Sequence, residues 1–244
     1  MNNPFLLSLA LAIFSLGLIV FLRDTIAKNT HPAIYATIGV FGVPLHELSH
    51  LIAAIVCGHK ITSVQFYKPM PDGSLGAVEH IYRPRWYSPI TNMLISIAPL
   101  FGCTAAAWFV TQTFMPAVTM QISEFITSEP VGFDLSVLIE RVGQIATTID
   151  LSAKNGYWLT LWGFFLYSVI LHSVPSNADL KNARLGILLV LIVFLLVGLI
   201  WPIQRDVFVN ILYYLNSLWI IVLLVHLFNF LIGYLVINFI KCFR

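Results

Sequence analysis

Charged residues are scarce in this chain: only 10% of its 244 residues are Asp, Glu, Lys or Arg, whereas 59% are hydrophobic. Soluble domains carry about 25% charged residues, so this composition excludes a soluble globular protein and indicates that lipid surrounds most of the chain. The net charge of +2 is also small. It provides no basic surface for a phosphate backbone, which argues against nucleic acid as a partner.

Cysteine is equally rare. Cys57, Cys103 and Cys242 are widely separated, odd in number and never part of a Cys-x-x-Cys pair. Neither a disulfide framework nor a thiolate metal site is therefore indicated, and we expect all three to be packing residues. The sequence also lacks internal repeats and low-complexity linkers, so residues 1–244 are predicted to form a single integral membrane domain.

Long apolar runs dominate what is present. A hydrocarbon core about 30 Å thick needs roughly 20 apolar residues per helix, which predicts an all-α, polytopic membrane protein with about six transmembrane helices. The first run lacks a basic segment before it and a small-residue cleavage site after it, so we expect a retained helix rather than a signal peptide. The predicted spans are residues 4–22, 33–57, 87–115, 156–174, 185–203 and 210–238.

Two connecting segments have patterns of their own. Between the second and third spans, the β-prone runs 61–67 and 75–82 flank a turn rich in proline and glycine, which predicts a small β-hairpin at the membrane face. The apolar spacing between residues 131 and 151 predicts an amphipathic surface helix. If the spans alternate, the side with the hairpin loop and both termini carries eight Lys and Arg residues against five, and it is predicted to be cytoplasmic.

The second span contains three ionisable residues, His46, Glu47 and His50, in the order His-Glu-Leu-Ser-His. Residues four apart share a helical face, so both histidines can bind one Zn²⁺, whereas Glu47 is turned about 100° away and can reach a water at the metal. Each ionisable group near the bilayer centre costs roughly 2.5 to 3.5 kcal/mol, so three of them require compensation. Bound zinc is the interpretation that we favour. Hydrogen bonding within the bundle, or a proton or ion path, is the alternative.

A catalytic zinc site usually has three protein ligands and one open position. His172 and Asp179, at the end of the fourth span, are the candidates for the third ligand, because the second and fourth spans run in the same direction in an alternating topology. We expect Asp179 to be the ligand, with His172 as the alternative. Asp179 could instead cap a helix or pair with Lys181 or Arg184.

Three stretches resemble, in order, the motifs of the site-2 protease family of intramembrane zinc metalloproteases. The first is His-Glu-Leu-Ser-His at residues 46–50. The second, Ser-Pro-Ile-Thr-Asn at residues 88–92, is similar to the family's Gly-Pro-x-x-Asn. The third, residues 172–179, is similar to its Asn-x-x-Pro followed by Asp-Gly, although His172 stands where the family has Asn and Leu180 where it has Gly.

The resemblance covers about residues 33–184 and has direct implications for the site. It implies that Zn²⁺ is the cofactor, that Asp179 is the third ligand and that Glu47 is the general base. It also implies that Asn92 and Asn177 contact the substrate, unless Asn92 holds the core helices together. The predicted active site lies nearer the cytoplasmic side of the membrane.

These residues predict an intramembrane zinc endopeptidase that cleaves a membrane-protein substrate in or beside a transmembrane segment. The hairpin would pair with the unwound substrate by β-augmentation, or it would be only a lid or connector. The alternative function is a non-proteolytic membrane protein, either a degenerate protease relative or a transporter. A membrane di-iron enzyme is disfavoured because it needs more clustered histidines than the seven present.

Overall fold

The computed structural model describes residues 4–70, 73–127, 135–149 and 156–200, together with residues 209–212, 216, 222–223, 226–227 and 231. Up to residue 200, this part of the chain forms seven α-helices and one two-stranded antiparallel sheet, and the described residues between 209 and 231 are helical as well. The elements are α1 (Pro4–Asn29), α2 (Pro32–Val56), β1 (Lys60–Gln65), β2 (Ala77–Ile81), α3 (Ser88–Phe114), α4 (Pro116–Thr127), α5 (Leu135–Thr148), α6 (Gly156–His172) and α7 (Asn177–Ile200).

Three helices, α1, α2 and α3, are long and apolar enough to cross a membrane. Large apolar side chains cover their outer faces, and Phe14 on α1 and Phe109 on α3 are 67% and 71% exposed. Such faces are compatible with contact with lipid. Helices occupy the first five predicted spans, although α1 continues past the predicted end at residue 22. The sixth predicted span lies mostly outside the described residues, so the count of six spans stays a prediction.

Small residues allow α2 and α6 to pack closely. A Cβ at Gly42 would collide with the backbone oxygen of Ser168, and the N–H of Gly42 donates to Ser168 Oγ at 2.8 Å. Four residues further along both helices, His46 Nδ1 donates to the carbonyl of His172 at 2.6 Å. Because these contacts advance by four residues along each helix, α2 and α6 run in the same direction, as predicted. The end of α6 lies beside His46, about 15 Å before the end of α2.

Glycines also bring α3 close to α2 and α7. A Cβ at Gly102 on α3 would collide with Ser49 Oγ, and a Cβ at Gly186 on α7 would collide with the carbonyl oxygen of Pro89. Ser49, which stands between the two histidines of α2, is therefore a packing residue. The neighbouring Cys103 is fully buried and free, as expected for a packing cysteine.

The predicted hairpin is present, and its strands are slightly shorter than the β-prone runs. Its antiparallel register pairs Lys60 with Ile81, and an irregularity lies between Ile61 and Ser63. Gly58 precedes β1 with a φ of +74°, a left-handed conformation that glycine adopts without steric cost. The chain can therefore turn sharply at the end of α2.

After this turn the hairpin runs back along α2. The Tyr67 hydroxyl, just beyond β1, donates to the carbonyl of Ala36 at 2.6 Å, although Ala36 lies about 30 Å before the end of α2. On the returning segment, a Cβ at Gly76 would lie 2.8 Å from Glu47 Cγ. The hairpin thus covers the face of α2 that carries Glu47, and its position at the membrane face stays a prediction. The pattern of strand and turn residues could predict the hairpin but not the helix face against which it packs.

The segment between α3 and α6 contains two shorter helices. The predicted amphipathic helix within residues 131–151 is observed as α5, whereas its position on a membrane surface stays a prediction. The sequence pattern does not predict α4 (Pro116–Thr127). It begins at Pro116, shortly after α3 ends at Phe114. This start is compatible with the sequence, because proline is well tolerated in the first turn of a helix.

Candidate metal centre

The three predicted metal ligands converge. His46 and His50 lie one turn apart on α2, and their Nε2 atoms are 3.0 Å from each other. Asp179, in the first turn of α7, places Oδ2 3.6 Å from His46 Nε2 and Oδ1 3.3 Å from His50 Nε2. Among the described residues, these form the one group of three His, Cys, Asp or Glu side chains close enough to share a metal ion.

Backbone carbonyls determine which nitrogen of each ring carries a hydrogen. His46 Nδ1 contacts the His172 carbonyl at 2.6 Å, and His50 Nδ1 contacts the Ile95 carbonyl at 2.8 Å. Since a carbonyl oxygen only accepts hydrogen bonds, each Nδ1 must carry the hydrogen, and each neutral ring presents a lone pair at Nε2. Two lone pairs and a carboxylate therefore face one another. The same arrangement, with the second ring nitrogen bound to a carbonyl, orients histidine ligands in metal sites.

The spacing of these atoms fits a zinc ion. In a tetrahedral site with zinc bonds of about 2.0 to 2.2 Å, neighbouring ligand atoms lie about 3.4 Å apart. The observed separations of 3.0, 3.3 and 3.6 Å lie on both sides of this value. Three protein ligands would leave the fourth tetrahedral position open, which is the composition of a catalytic rather than a purely structural site.

Ser176 holds the carboxylate of Asp179 in place. Asp179 Oδ2 accepts hydrogen bonds from the Ser176 N–H at 2.7 Å and from its hydroxyl at 2.6 Å, and the Asp179 N–H donates back to Ser176 Oγ at 3.2 Å. These reciprocal bonds form a capping box at the start of α7. The helix-cap role that the sequence left open is therefore present, and the same carboxylate still faces both histidines.

Glu47 lies beside this group without belonging to it. Its side chain is buried, with 8% of the residue exposed, and it packs beneath Gly76 of the hairpin. It interacts electrostatically with His46, His50 and Asp179. The role of Glu47 as a general base stays a prediction.

His172, the alternative third ligand, contributes its backbone instead of its ring. Its carbonyl accepts the hydrogen bond from His46, whereas its Nδ1 donates to the Ser168 carbonyl at 2.9 Å. Its Nε2 is buried without a hydrogen-bond partner and lies near Gly39 on α2. His172 is therefore not part of the three-residue group.

Asn92 connects α3 to the base of the hairpin. Its Nδ2 donates to the Tyr82 hydroxyl at 2.7 Å, and the Tyr82 ring stacks on His59 with centroids 4.7 Å apart. The Nδ1 atoms of His59 and His80 are 3.0 Å apart, so one ring donates to the other. Burial lowers the pKa of both histidines, and the nearby His59 and His50 lower the pKa of His80 further. In this structure Asn92 holds core segments together, and its contact with a substrate stays a prediction.

Asn177 lies at the start of α7 and contacts α1. Its Nδ2 donates to Asp24 Oδ2 at 3.0 Å, and the adjacent Arg23 donates to the Pro175 carbonyl at 2.6 Å. The sequence does not predict a role for Arg23 or Asp24, because two charges at the end of an apolar run are ordinary features of a span boundary. The Ser-x-x-Asp spacing at residues 176–179 is the sequence pattern that predicts the capping box at the start of α7.

The structure brings together four of the predicted site residues, His46, Glu47, His50 and Asp179, while Asn92 and Asn177 connect the surrounding segments. The donor set contains two neutral imidazoles and one carboxylate, which suits a borderline divalent metal such as Zn²⁺. No protein-family model, curated protein or solved structure matches this chain.

Proposed function

We propose that this protein is an intramembrane zinc endopeptidase that cleaves a peptide bond in or beside a transmembrane segment of a membrane-protein substrate. One observation carries the proposal: two imidazole lone pairs and the Asp179 carboxylate converge next to a buried glutamate. When both rings are neutral, all three groups are hydrogen-bond acceptors toward the centre. A cation at this point would compensate for ionisable groups that are costly in an apolar helix.

His46, His50 and Asp179 would hold the zinc ion. When bound, zinc supplies Lewis acidity, which activates water and polarises a carbonyl group. The carbonyls of His172 and Ile95 keep the two rings oriented before the ion binds. Ser176 does the same for the carboxylate. The chain would therefore bind the ion with little rearrangement of its own side chains.

Glu47 is the general base and acid in this proposal. It would accept a proton from the attacking water and transfer that proton to the leaving amine, the two steps that peptide hydrolysis requires of such a residue. Its Cγ packs against Gly76, which precedes β2 of the hairpin. Burial by the hairpin also separates the reaction from lipid.

The hairpin is the proposed binding surface for the substrate strand. A substrate helix hides its carbonyls in its own hydrogen bonds, so it must unwind before a base and a metal can reach them. Each strand of the two-stranded sheet is paired on one side only, which leaves an edge for β-augmentation by an extended peptide. The residues next to the strands, Tyr67 and Gly76, contact α2 at Ala36 and Glu47, so the hairpin lies beside this helix.

The setting proposed for this reaction is a multi-pass membrane protein of about six spans, with the metal centre nearer the cytoplasmic side. The excess of lysine and arginine on the side of the hairpin loop supports this orientation. His50 lies six residues, or about 9 Å, before the end of α2 on that side. Water from the cytoplasmic side would therefore have only a short distance to cross before it reached the metal centre.

Substitution of Glu47 tests the proposal. Purified, zinc-loaded protein would be reconstituted into liposomes with a panel of tagged single-span membrane proteins, and cleavage and zinc content would be measured on the same preparations. Wild-type protein should cleave at least one of them, and Glu47→Gln should cleave it about 10²- to 10⁴-fold more slowly with its zinc unchanged. Glu124→Gln, at an exposed carboxylate on α4 far along the chain from the hairpin and the metal centre, is the matched control and should remain active.

Two results would contradict the proposal. Loss of zinc from Glu47→Gln would make Glu47 a ligand, and the role of general base would be wrong. Cleavage at the wild-type rate by Glu47→Gln would mean that this centre does not catalyse the reaction, and would favour the non-proteolytic alternative.

A further inference from the structure

Arg23 and Asp24 form a charged pair near the end of the apolar helix α1. Arg23 Nη2 lies 3.2 Å from Asp24 Oδ1, and the two side chains are only 12% and 21% exposed. Charged side chains within a transmembrane segment are rare and usually have a functional partner. The partner of this pair is the turn that joins α6 to α7.

Each residue of the pair holds one end of that turn. Arg23 Nη2 donates to the carbonyl of Pro175 at 2.6 Å, and Pro175 is fully buried. Asp24 Oδ2 accepts from the side chain of Asn177 at 3.0 Å. The residue between these two anchors is Ser176.

Ser176 is also the residue that holds Asp179. Both its N–H and its hydroxyl donate to Asp179 Oδ2. The chain of contacts therefore runs from the charged pair on α1, through the turn, to the carboxylate that faces His46 and His50.

We propose that Arg23 and Asp24 are positioning residues that set the place of Asp179 as the third metal ligand. This inference rests on the proposed zinc centre. Neither residue touches the metal or the substrate. Loss of Arg23 would leave the buried Pro175 carbonyl without its donor, and the turn would relax to satisfy it with another group. The carboxylate would move with the turn, whereas the two histidines on α2 would stay in place.

Zinc affinity measures this effect directly. Residues that orient metal ligands typically change metal affinity by 10- to 100-fold when they are replaced, and we expect Arg23→Met to weaken zinc binding within about that range. Arg23→Lys retains one donor for the Pro175 carbonyl and should restore part of the affinity. Lys28→Met, on an exposed position of the same helix, is the control for loss of a positive charge and should bind zinc like the wild type.

Cobalt substitution provides the readout that a general loss of stability would not produce. In the wild type, Co²⁺ should give the strong visible absorption of a four-coordinate ion. In Arg23→Met the absorption should weaken and shift, because the Asp179 carboxylate is displaced and water replaces it. Asn177→Ala removes only the contact to Asp24 from an exposed residue, so it tests the other anchor if Arg23→Met does not fold.

The outcomes separate this inference from the proposed function. If the wild type binds no zinc, the proposed function fails and so does the inference that depends on it. If the wild type binds zinc and folded Arg23→Met binds it equally well with an unchanged cobalt spectrum, only the positioning role is overturned. An equal loss of affinity in Lys28→Met would also overturn it, because the effect would then be one of charge alone. If Arg23→Met does not fold, an unchanged affinity in both Arg23→Lys and Asn177→Ala would overturn it as well.

Discussion

The Nε2 atoms of His46 and His50 face each other at 3.0 Å, although each ring already donates its Nδ1 hydrogen to a backbone carbonyl. Two neutral rings held in this way present two lone pairs to one another, and such an arrangement needs a proton or a metal ion between the nitrogens. The third acceptor, Asp179, favours an ion with several ligands over a single shared proton. The following predictions test this interpretation and the fold around it.

The identity of the third ligand can be tested with Asp179 and His172. Asp179→Asn keeps a side-chain oxygen for the cap of α7 but removes the negative charge that faces the metal, so zinc affinity should fall by at least about 100-fold. His172→Ala should retain zinc, because its backbone carbonyl supports His46 and its ring does not face the centre. Competition with a chelator measures both affinities. The reverse order would give the role to His172.

The packing of α2 on α6 can be tested at Gly42. An added Cβ would collide with the backbone oxygen of Ser168, which cannot turn away as a flexible side chain can. Gly42→Ala should therefore destabilise the protein by about 1 to 3 kcal/mol. Gly17→Ala is the matched control on α1, where nothing lies within 4 Å of the added Cβ, and it should be neutral or stabilising by up to about 1 kcal/mol.

Thermal unfolding of the two glycine variants in the same detergent would measure the difference. Equal unfolding temperatures would contradict the close approach of the two helices, and with it the contact between His46 and His172.

The main features of the fold could be predicted because each depends on local pattern. Apolar length predicts the helices, proline and glycine between β-prone runs predict the hairpin, and the spacing of His46, Glu47 and His50 on one helix predicts their shared face. Asp179 could be proposed as their partner because the second and fourth spans run in the same direction. The structure confirms that α2 and α6 do so.

The remaining features depend on contacts between distant segments. Nothing local to Gly76 indicates that it packs on Glu47, and nothing local to Arg23 indicates that it donates to Pro175, 152 residues away. The carbonyls that orient the histidines belong to backbone groups that every residue has. Such contacts depend on how helices pack, and hydrophobic pattern alone does not define that packing.

The contacts between His59 and His80 at the base of the hairpin should contribute less to the stability of the folded protein at low pH. Burial lowers the pKa of His59 and of His80, so the folded protein binds protons at these rings less readily than the unfolded chain does. The stability that the neutral pair contributes is present above about pH 6.5 and is lost as the pH falls through the lowered pKa values. Two protonated rings could no longer share the hydrogen bond between their Nδ1 atoms.

The free energy of unfolding of metal-free protein at about pH 7.5 and about pH 5.5 would test this pH dependence. The wild type should lose more stability between these values than His80→Phe, which keeps an aromatic ring but cannot be protonated. Equal losses would show that the pair does not carry the pH dependence.

The orientation in the membrane can be tested by labelling of engineered cysteines. Trp86, 91% exposed in the segment between β2 and α3, lies on the side predicted to be cytoplasmic, whereas His31 lies between α1 and α2 on the other side. An impermeant maleimide added to intact cells should label His31→Cys and leave Trp86→Cys unlabelled above the level of the wild type. The opposite result would invert the topology.

The central claim is that His46, His50 and Asp179 form a zinc site, and metal content tests it most directly. The purified protein would be supplied with zinc, freed of loosely bound ions, and analysed for metal and protein in the same sample. One zinc ion per chain is predicted for the wild type, and almost none for a His46→Ala and His50→Ala double variant that still folds. Less than about 0.1 zinc per chain in the folded wild type, or equal zinc in the double variant, would contradict the account.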